Sequence, residues 1–106
     1  ELSRAESRGE RVICFAHMPL MPPDGQFTLW NNGQIAALLQ RYPCVRAFLA
    51  GHHHKGGAHR FGSVLHFIFQ GMIEGPDNHY AIVEVYPDKL VIRGYGAQRD
   101  ETLRWL

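Results

Sequence analysis

The sequence predicts an α/β fold in which a βαβ unit is followed by antiparallel strands and a C-terminal hairpin. Three observations lead there. Two apolar runs, residues 11–16 and 45–50, bracket a segment whose apolar residues recur at helical spacing. After Gly56-Gly57 the hydrophobic period changes to two. Pro87-Asp88-Lys89 then separates two alternating segments as a hairpin turn.

Residues 1–8 are helix-compatible, with Leu2 and Ala5 as the apolar face and Gly9 as a C-terminal stop. Residues 11–16 (Arg-Val-Ile-Cys-Phe-Ala) read as a buried parallel strand, ended at His17-Met18-Pro19 because proline cannot continue the ladder. Residues 20–29 form a proline-rich loop with a turn at Pro22-Pro23-Asp24-Gly25, long enough to lie over a site with Phe27 and Trp30. Asn31 or Asn32 caps a helix running to about Tyr42, with Ile35, Leu38 and Leu39 as its buried stripe and Pro43 as its end. Residues 45–50 are the next strand, parallel to the first through a helical crossover. Residues 59–62 are a short strand or turn, 64–70 a strand, 71–76 a bend. Residues 80–86 alternate, and 90–95 return from the hairpin. The tail from Gly96 is polar until Leu103, Trp105 and Leu106.

At 106 residues the chain is one domain at most, with 45% hydrophobic and 20% charged residues. A net charge of +1 gives no electrostatic reason to bind nucleic acid. No apolar run reaches the roughly 18 residues of a membrane helix. Cys14 and Cys44 are too few for a disulfide framework and lack zinc-ribbon spacing. They read as buried thiols in a reducing, cytoplasmic setting. The chain opens on Glu1-Leu2-Ser3-Arg4, in mid-helix, which suggests a piece of something longer.

The chemistry gathers at Ala50-Gly51-His52-His53-His54-Lys55-Gly56-Gly57. Imidazole is the commonest metal ligand, and its pKa lies near neutrality. If the chain stays extended, His52 and His54 share one side and His53 takes the other. His17 closes the other parallel strand, so three histidines stand at the ends of two neighbouring strands, where α/β folds place their sites. Neutral imidazoles bring no negative charge, whereas a pair of divalent ions normally needs bridging carboxylates. Asp24, Glu74, Asp77, Glu84 and Asp88 are not in a ligand-like arrangement, so carboxylates for a two-metal site must come from other sequence. A single ion on three histidines is the alternative.

The ordered set Phe15-Ala16-His17-Met18-Pro19, Leu29-Trp30-Asn31, Gly51-His52-His53-His54-Lys55-Gly56-Gly57, His66 and Gly71-Met72-Ile73-Glu74-Gly75-Pro76 resembles the C-terminal half of the calcineurin-like metallophosphoesterases. Its nearest likeness is the manganese-dependent ADP-ribose/CDP-alcohol diphosphatase branch. The resemblance implies part of an αββα sandwich of two sheets flanked by helices, with the N-terminal metal-binding half absent. It implies His17 and His52 on one metal and His54 on a second, the two ions being Mn, Fe or Zn in the intact protein. His53, Lys55 and Trp30 are then candidates for substrate contact. The general-acid motif of the family is missing. Asp77-Asn78-His79 is similar to it but lacks the preceding glycine and falls too late in the chain, so it reads as a turn. His59, His66 and His79 read as structural or surface residues.

The implied activity is hydrolysis of phosphodiester or diphosphate bonds in small nucleotide-type substrates such as ADP-ribose or CDP-alcohols, with this piece inactive alone. The alternative is a non-catalytic metal-binding or assembly module on the same half-fold. Neither nucleic acid nor membrane is an expected partner. The uncovered sheet is expected to be hidden by the missing half or by self-association.

Overall fold

The computed structural model describes residues 1–72, 75–76 and 78–105. In chain order the elements are α1 (Leu2–Ser7), β1 (Val12–Phe15), α2 (Asn32–Gln40), β2 (Val45–Ala50), β3 (Gly57–Phe61), β4 (Val64–Ile68), β5 (Tyr80–Val85), β6 (Lys89–Tyr95) and β7 (Glu101–Arg104).

Two sheets form. The first has the order β1-β2-β4-β3, and β1-β2 and β2-β4 are parallel. The parallel β1-β2 pair is the one expected from the two apolar runs. The antiparallel β3-β4 pair closes this sheet through Gly62-Ser63. The second sheet is the antiparallel meander β5-β6-β7.

Alternation along the strands divides the interior into two cores. Phe48, Ala50 and Val64 face α1 and α2, where they meet Ala5, Ala36 and Leu39 together with Leu20 and Met21 of the long loop. Ala47, Leu49, Leu65 and Phe67 face the other way, against Leu90 and Ile92 of the second sheet. The described residues therefore stack as helix, sheet and sheet. Each fully buried Leu, Ile or Val contributes about 1.5–3 kcal/mol by removal from water, so the sheet-to-sheet core of six buried residues is the main tie between the two halves.

Several sequence expectations need correction. Leu38 is not part of the buried stripe of α2: the buried residues are Ala36 and Leu39, with Leu38 exposed. A nine-residue helix laid on a sheet buries a narrow stripe, and Ala36 permits the close approach there. Asn31 is the N-cap residue but makes no side-chain capping bond. Asn32 instead donates from its amide to the Leu20 and Pro23 carbonyls, at 3.0 and 2.9 Å, pinning the proline-rich loop to the start of α2. The polar tail contains a strand, β7, which pairs with β6 and packs Leu103 and Trp105 on the core. Of the expected bend at 71–76, Ile73 and Glu74 lie outside the described residues, as do Asp77 of the Asp-Asn-His turn and Leu106.

Both cysteines are free; Cys14 is half-buried and Cys44 buried. Burial pushes both thiols up, and the Glu6 carboxylate beside Cys44 adds to that shift. They are poor nucleophiles, in keeping with a packing role. No helix among the described residues is long and apolar enough to cross a membrane.

Candidate functional site

The parallel pairing of β1 and β2 brings two chain exits together. Phe15 lies opposite Leu49, so His17 and Gly51 leave adjacent strands at the same end. The Gly51 N–H donates to the His17 carbonyl at 2.9 Å, which fixes the two exits to each other.

Beyond Ala50 the chain does not stay extended, so the condition under which His52 and His54 would share one side is not met. His53 N–H bonds the Gly51 carbonyl at 2.7 Å, Gly56 N–H bonds the His53 carbonyl at 2.9 Å, and the segment turns tightly. The left-handed backbone falls on His52, with φ +66°. Among the described non-glycine residues it is alone in having positive φ. Such a conformation is uncommon for a side chain with Cβ and collects at sites where geometry matters more than local stability.

The turn aims His52 at His17. His17 Nε2 and His52 Nδ1 stand 3.1 Å apart, with the rings edge to face and their centroids 5.0 Å apart. Two nitrogens bound to one ion at about 2.1 Å, at angles between 90° and tetrahedral, stand roughly 3.0–3.4 Å apart. The separation of the pair matches that of two neighbouring ligands on one divalent ion, and in the structure one ring donates to the other. Among the described residues no group of three or more His, Cys, Asp or Glu is gathered for a metal. The His17–His52 nitrogen pair is what the described residues bring together here.

His54 is held separately. Gly71 N–H bonds the His54 carbonyl at 2.9 Å. A Cβ built on Gly71 meets the His54 ring at 2.6 Å, so glycine is required for the ring to lie where it does. His54 shares one open depression of about 370 Å³ with His52, His53, Lys55 and Phe27. Phe27 packs on His53 at 4.7 Å between centroids and lies 6.1 Å from His52. The long loop therefore reaches the site through Phe27. Trp30 is 87% exposed and lies outside the lining of this depression. The sequence puts both aromatics in the loop and names Trp30 for substrate contact, whereas Phe27 is the one that lines the depression.

His66 is buried on β4 at 2% exposure, on the face of the sheet that carries Phe48, whose ring centroid is 5.8 Å away. Neither of its ring nitrogens has a hydrogen-bond partner among the described residues. Burial pushes its imidazole down to about 4, and the charge of His59 on the neighbouring strand adds to this. It is a neutral interior residue, as expected for a structural histidine.

No family model matches the chain. A solved dimetal phosphatase from Danio rerio matches it with a TM-score of 0.88 at 30% identity, over 99% of this chain and 35% of that one. By its fold the chain is part of a metallophosphoesterase-type sandwich. Within that class it is similar along nearly all its length to manganese-dependent ADP-ribose/CDP-alcohol diphosphatases. Identity is 35% with the Xenopus laevis protein (98% of this chain, 31% of that protein). It is 37% with the protein of Oryza sativa subsp. japonica (93% and 32%) and 34% with that of Homo sapiens (98% and 32%). The chain spans about a third of the length of these relatives.

Proposed function

We propose that the intact protein is a dinuclear metal-dependent phosphohydrolase that cleaves the diphosphate bond of nucleoside-diphosphate-linked compounds such as ADP-ribose or CDP-alcohols. The observation that carries this reading is the His17–His52 nitrogen pair, 3.1 Å apart at the shared end of two parallel strands and beside the depression that contains His54. The names of the relatives point the same way.

In this reading His17 and His52 hold one ion and His54 the other. Bound divalent ions, manganese first among Mn, Fe and Zn, supply positive charge for the phosphoryl oxygens and an activated water. The chain's own residues do the rest. Gly71 sets the His54 ring, and Phe27 backs His53 and narrows access of solvent to the depression. Lys55 offers a cation to a phosphate, and His53 a ring N–H. Trp30, largely exposed, offers an open face for stacking a base. In this reading the 106 residues alone are inactive, because the sequence lacks the general-acid motif that the resemblance implies for the intact protein.

Hydrolysis of ADP-ribose and of simple phosphate monoesters by the full-length protein, with and without manganese, tests the proposal. Manganese-dependent cleavage of ADP-ribose is expected; no cleavage of either substrate overturns it. The second reading, a non-catalytic metal-binding or assembly module, is favoured by the same lack of a three-ligand cluster. It wins if the full-length protein binds at most one ion per chain and turns over neither substrate.

A further inference from the structure

The chain just beyond β4 is held between the histidine turn and the second sheet. Phe69 N–H donates to the Ala50 carbonyl at 2.9 Å, ahead of the histidines, and Gly71 N–H donates to the His54 carbonyl at 2.9 Å, at the last of them. The Gln70 N–H between them points the other way, as alternate amides of an extended chain do, and donates to Gln98 Oε1 at 2.7 Å. The Gln70 side chain accepts from the Arg99 N–H at 3.1 Å, and the Gln98 amide nitrogen donates to the Arg99 carbonyl at 3.2 Å. One residue, Gln70, thus carries the β6–β7 connection on one side and the histidine turn on the other.

Glycines let both sides close on this clamp. A Cβ on Gly56, whose φ is +72°, would meet Gln70 Cγ at 2.8 Å, so the histidine turn lies directly on the Gln70 side chain. A Cβ on Gly94 would collide with the Gln98 carbonyl, and glycine there lets the connection lie against β6. Gln98 is 6% exposed, so water does not readily replace a partner lost there. Packing alone does not hold the contact. A recess of about 160 Å³ opens beside it, lined by Lys55, Gln70, Gln98 and Arg99 among others. Lys55 also lines the histidine depression, so the turn is a thin wall between two hollows. With open space against it, the Gln70 backbone is kept in place by its hydrogen bonds.

We propose that Gln98 is a positioning residue for the candidate metal centre: acting through Gln70 and Gly71, it seats the His54 ring. Its effect on an ion rests on the phosphohydrolase reading above. Gln98 itself lies outside the lining of the histidine depression. Without its side-chain oxygen the Gln70 N–H is left buried and unpaired. The strand end then shifts toward the recess, Gly71 moves off the His54 carbonyl, and the ring leaves its seat. His17 and His52 are tied by the Gly51–His17 backbone bond at the ends of β1 and β2 and do not depend on the clamp. The two ions of the intact protein therefore respond unequally.

Gln98→Met keeps the length of the side chain and removes both of its bonds. In the full-length protein it is expected to weaken one of two bound manganese ions by about tenfold, read by calorimetry, and to leave the other within about twofold. Gln98→Glu, which keeps the acceptor for the Gln70 N–H, is expected to restore most of that affinity. Leu90→Ala thins the sheet-to-sheet core without touching the clamp; it is expected to lower the urea midpoint and leave both manganese affinities within about twofold. Manganese binding unchanged in Gln98→Met, equal loss in Gln98→Glu, or equal weakening of the same ion in Leu90→Ala overturns the proposal. Gln70→Met removes only the bond from the Arg99 N–H and replaces Gln98→Met if that variant fails to fold. About a threefold weakening of the same ion is then expected, and none overturns the proposal. The metal-free protein gives a reading that needs no ion. With nitrogen-15-labelled histidine, the His54 ring signals are expected to move in Gln98→Met and those of His66 to stay. Unmoved His54 signals overturn the proposal even where manganese binds and ADP-ribose is cleaved. Moved His54 signals in a protein that binds no second ion sink the phosphohydrolase reading and leave Gln98 as the residue that seats His54.

Discussion

His66 sits within β4 and His52 just beyond the end of β2, its parallel neighbour, and the fold gives them opposite chemistry. His66 lies mid-strand opposite Phe48, is buried at 2% exposure, and is held neutral by the cost of charging an imidazole away from water. His52 lies two residues past the end of β2, is exposed, and meets His17 nitrogen to nitrogen. His66 pairs in register with Phe48, four residues before His52, so a short step toward the strand ends separates an interior ring from a candidate ligand. The lesson is that position relative to the strand end, more than residue type, decides what a histidine does.

The sharpest way to break this comparison is to remove the strand-end rings. His52→Ala or His17→Ala in the full-length protein is expected to lower manganese-dependent ADP-ribose hydrolysis by about a hundredfold or more and to weaken manganese binding, with circular dichroism unchanged. Activity within a few-fold of wild type contradicts a ligand role for the pair. Next in size is Gly71→Ala. Its Cβ would fall 2.6 Å from the His54 ring, so displacement of that ring is expected to cost about ten- to a hundredfold in activity and to reduce bound manganese measured per chain. An unchanged metal count contradicts the placement of His54 at an ion.

The mid-strand ring predicts a pH effect. The folded-state pKa of His66 is lowered from 6.5 to about 4, so between those values the unfolded chain binds a proton that the folded chain refuses. Stability is therefore expected to fall as pH drops from about 6.5 toward 4, and to be unaffected by this group above that range. His66→Leu removes the effect: urea midpoints at pH 7 and pH 4.5 are expected to differ less in the variant than in wild type. Equal losses in the two proteins place the titrating group elsewhere. The smallest expected change is from Phe27→Ala, about two- to fivefold in KM with kcat nearly kept, because the ring packs on His53 and carries no donor atom for an ion. A loss as large as that from His52→Ala would move Phe27 into the reacting centre.

Much of this was legible before any coordinates. The apolar runs around α2 specified two parallel neighbours, and strand ends followed by histidine marked one rim of the sheet. The period-two segments specified the β5-β6 hairpin, whose Tyr80 and Tyr95 stack at 4.8 Å on its outer face. Other features were not legible because they are long-range. The β7 strand is a short polar segment, and it becomes a strand only because β6 offers a free edge with Leu90 and Ile92 beneath it. Asn32 reads as a cap in sequence, but its amide finds better-placed carbonyls at Leu20 and Pro23. The Gln70–Gln98–Arg99 clamp joins residues about thirty positions apart with no motif to announce it.

The sequence by itself determined the βαβ unit, the antiparallel continuation, and which three histidines leave the ends of apolar strands, because hydrophobic period and turn residues act over short stretches of chain. Tertiary structure alone decided that His52 takes a left-handed backbone to face His17, that Gly71 closes on the His54 ring, and that Lys55 stands between two hollows. Each of these depends on segments brought together by sheet pairing and core burial, and a distance between side chains remote in the chain is written in no local pattern.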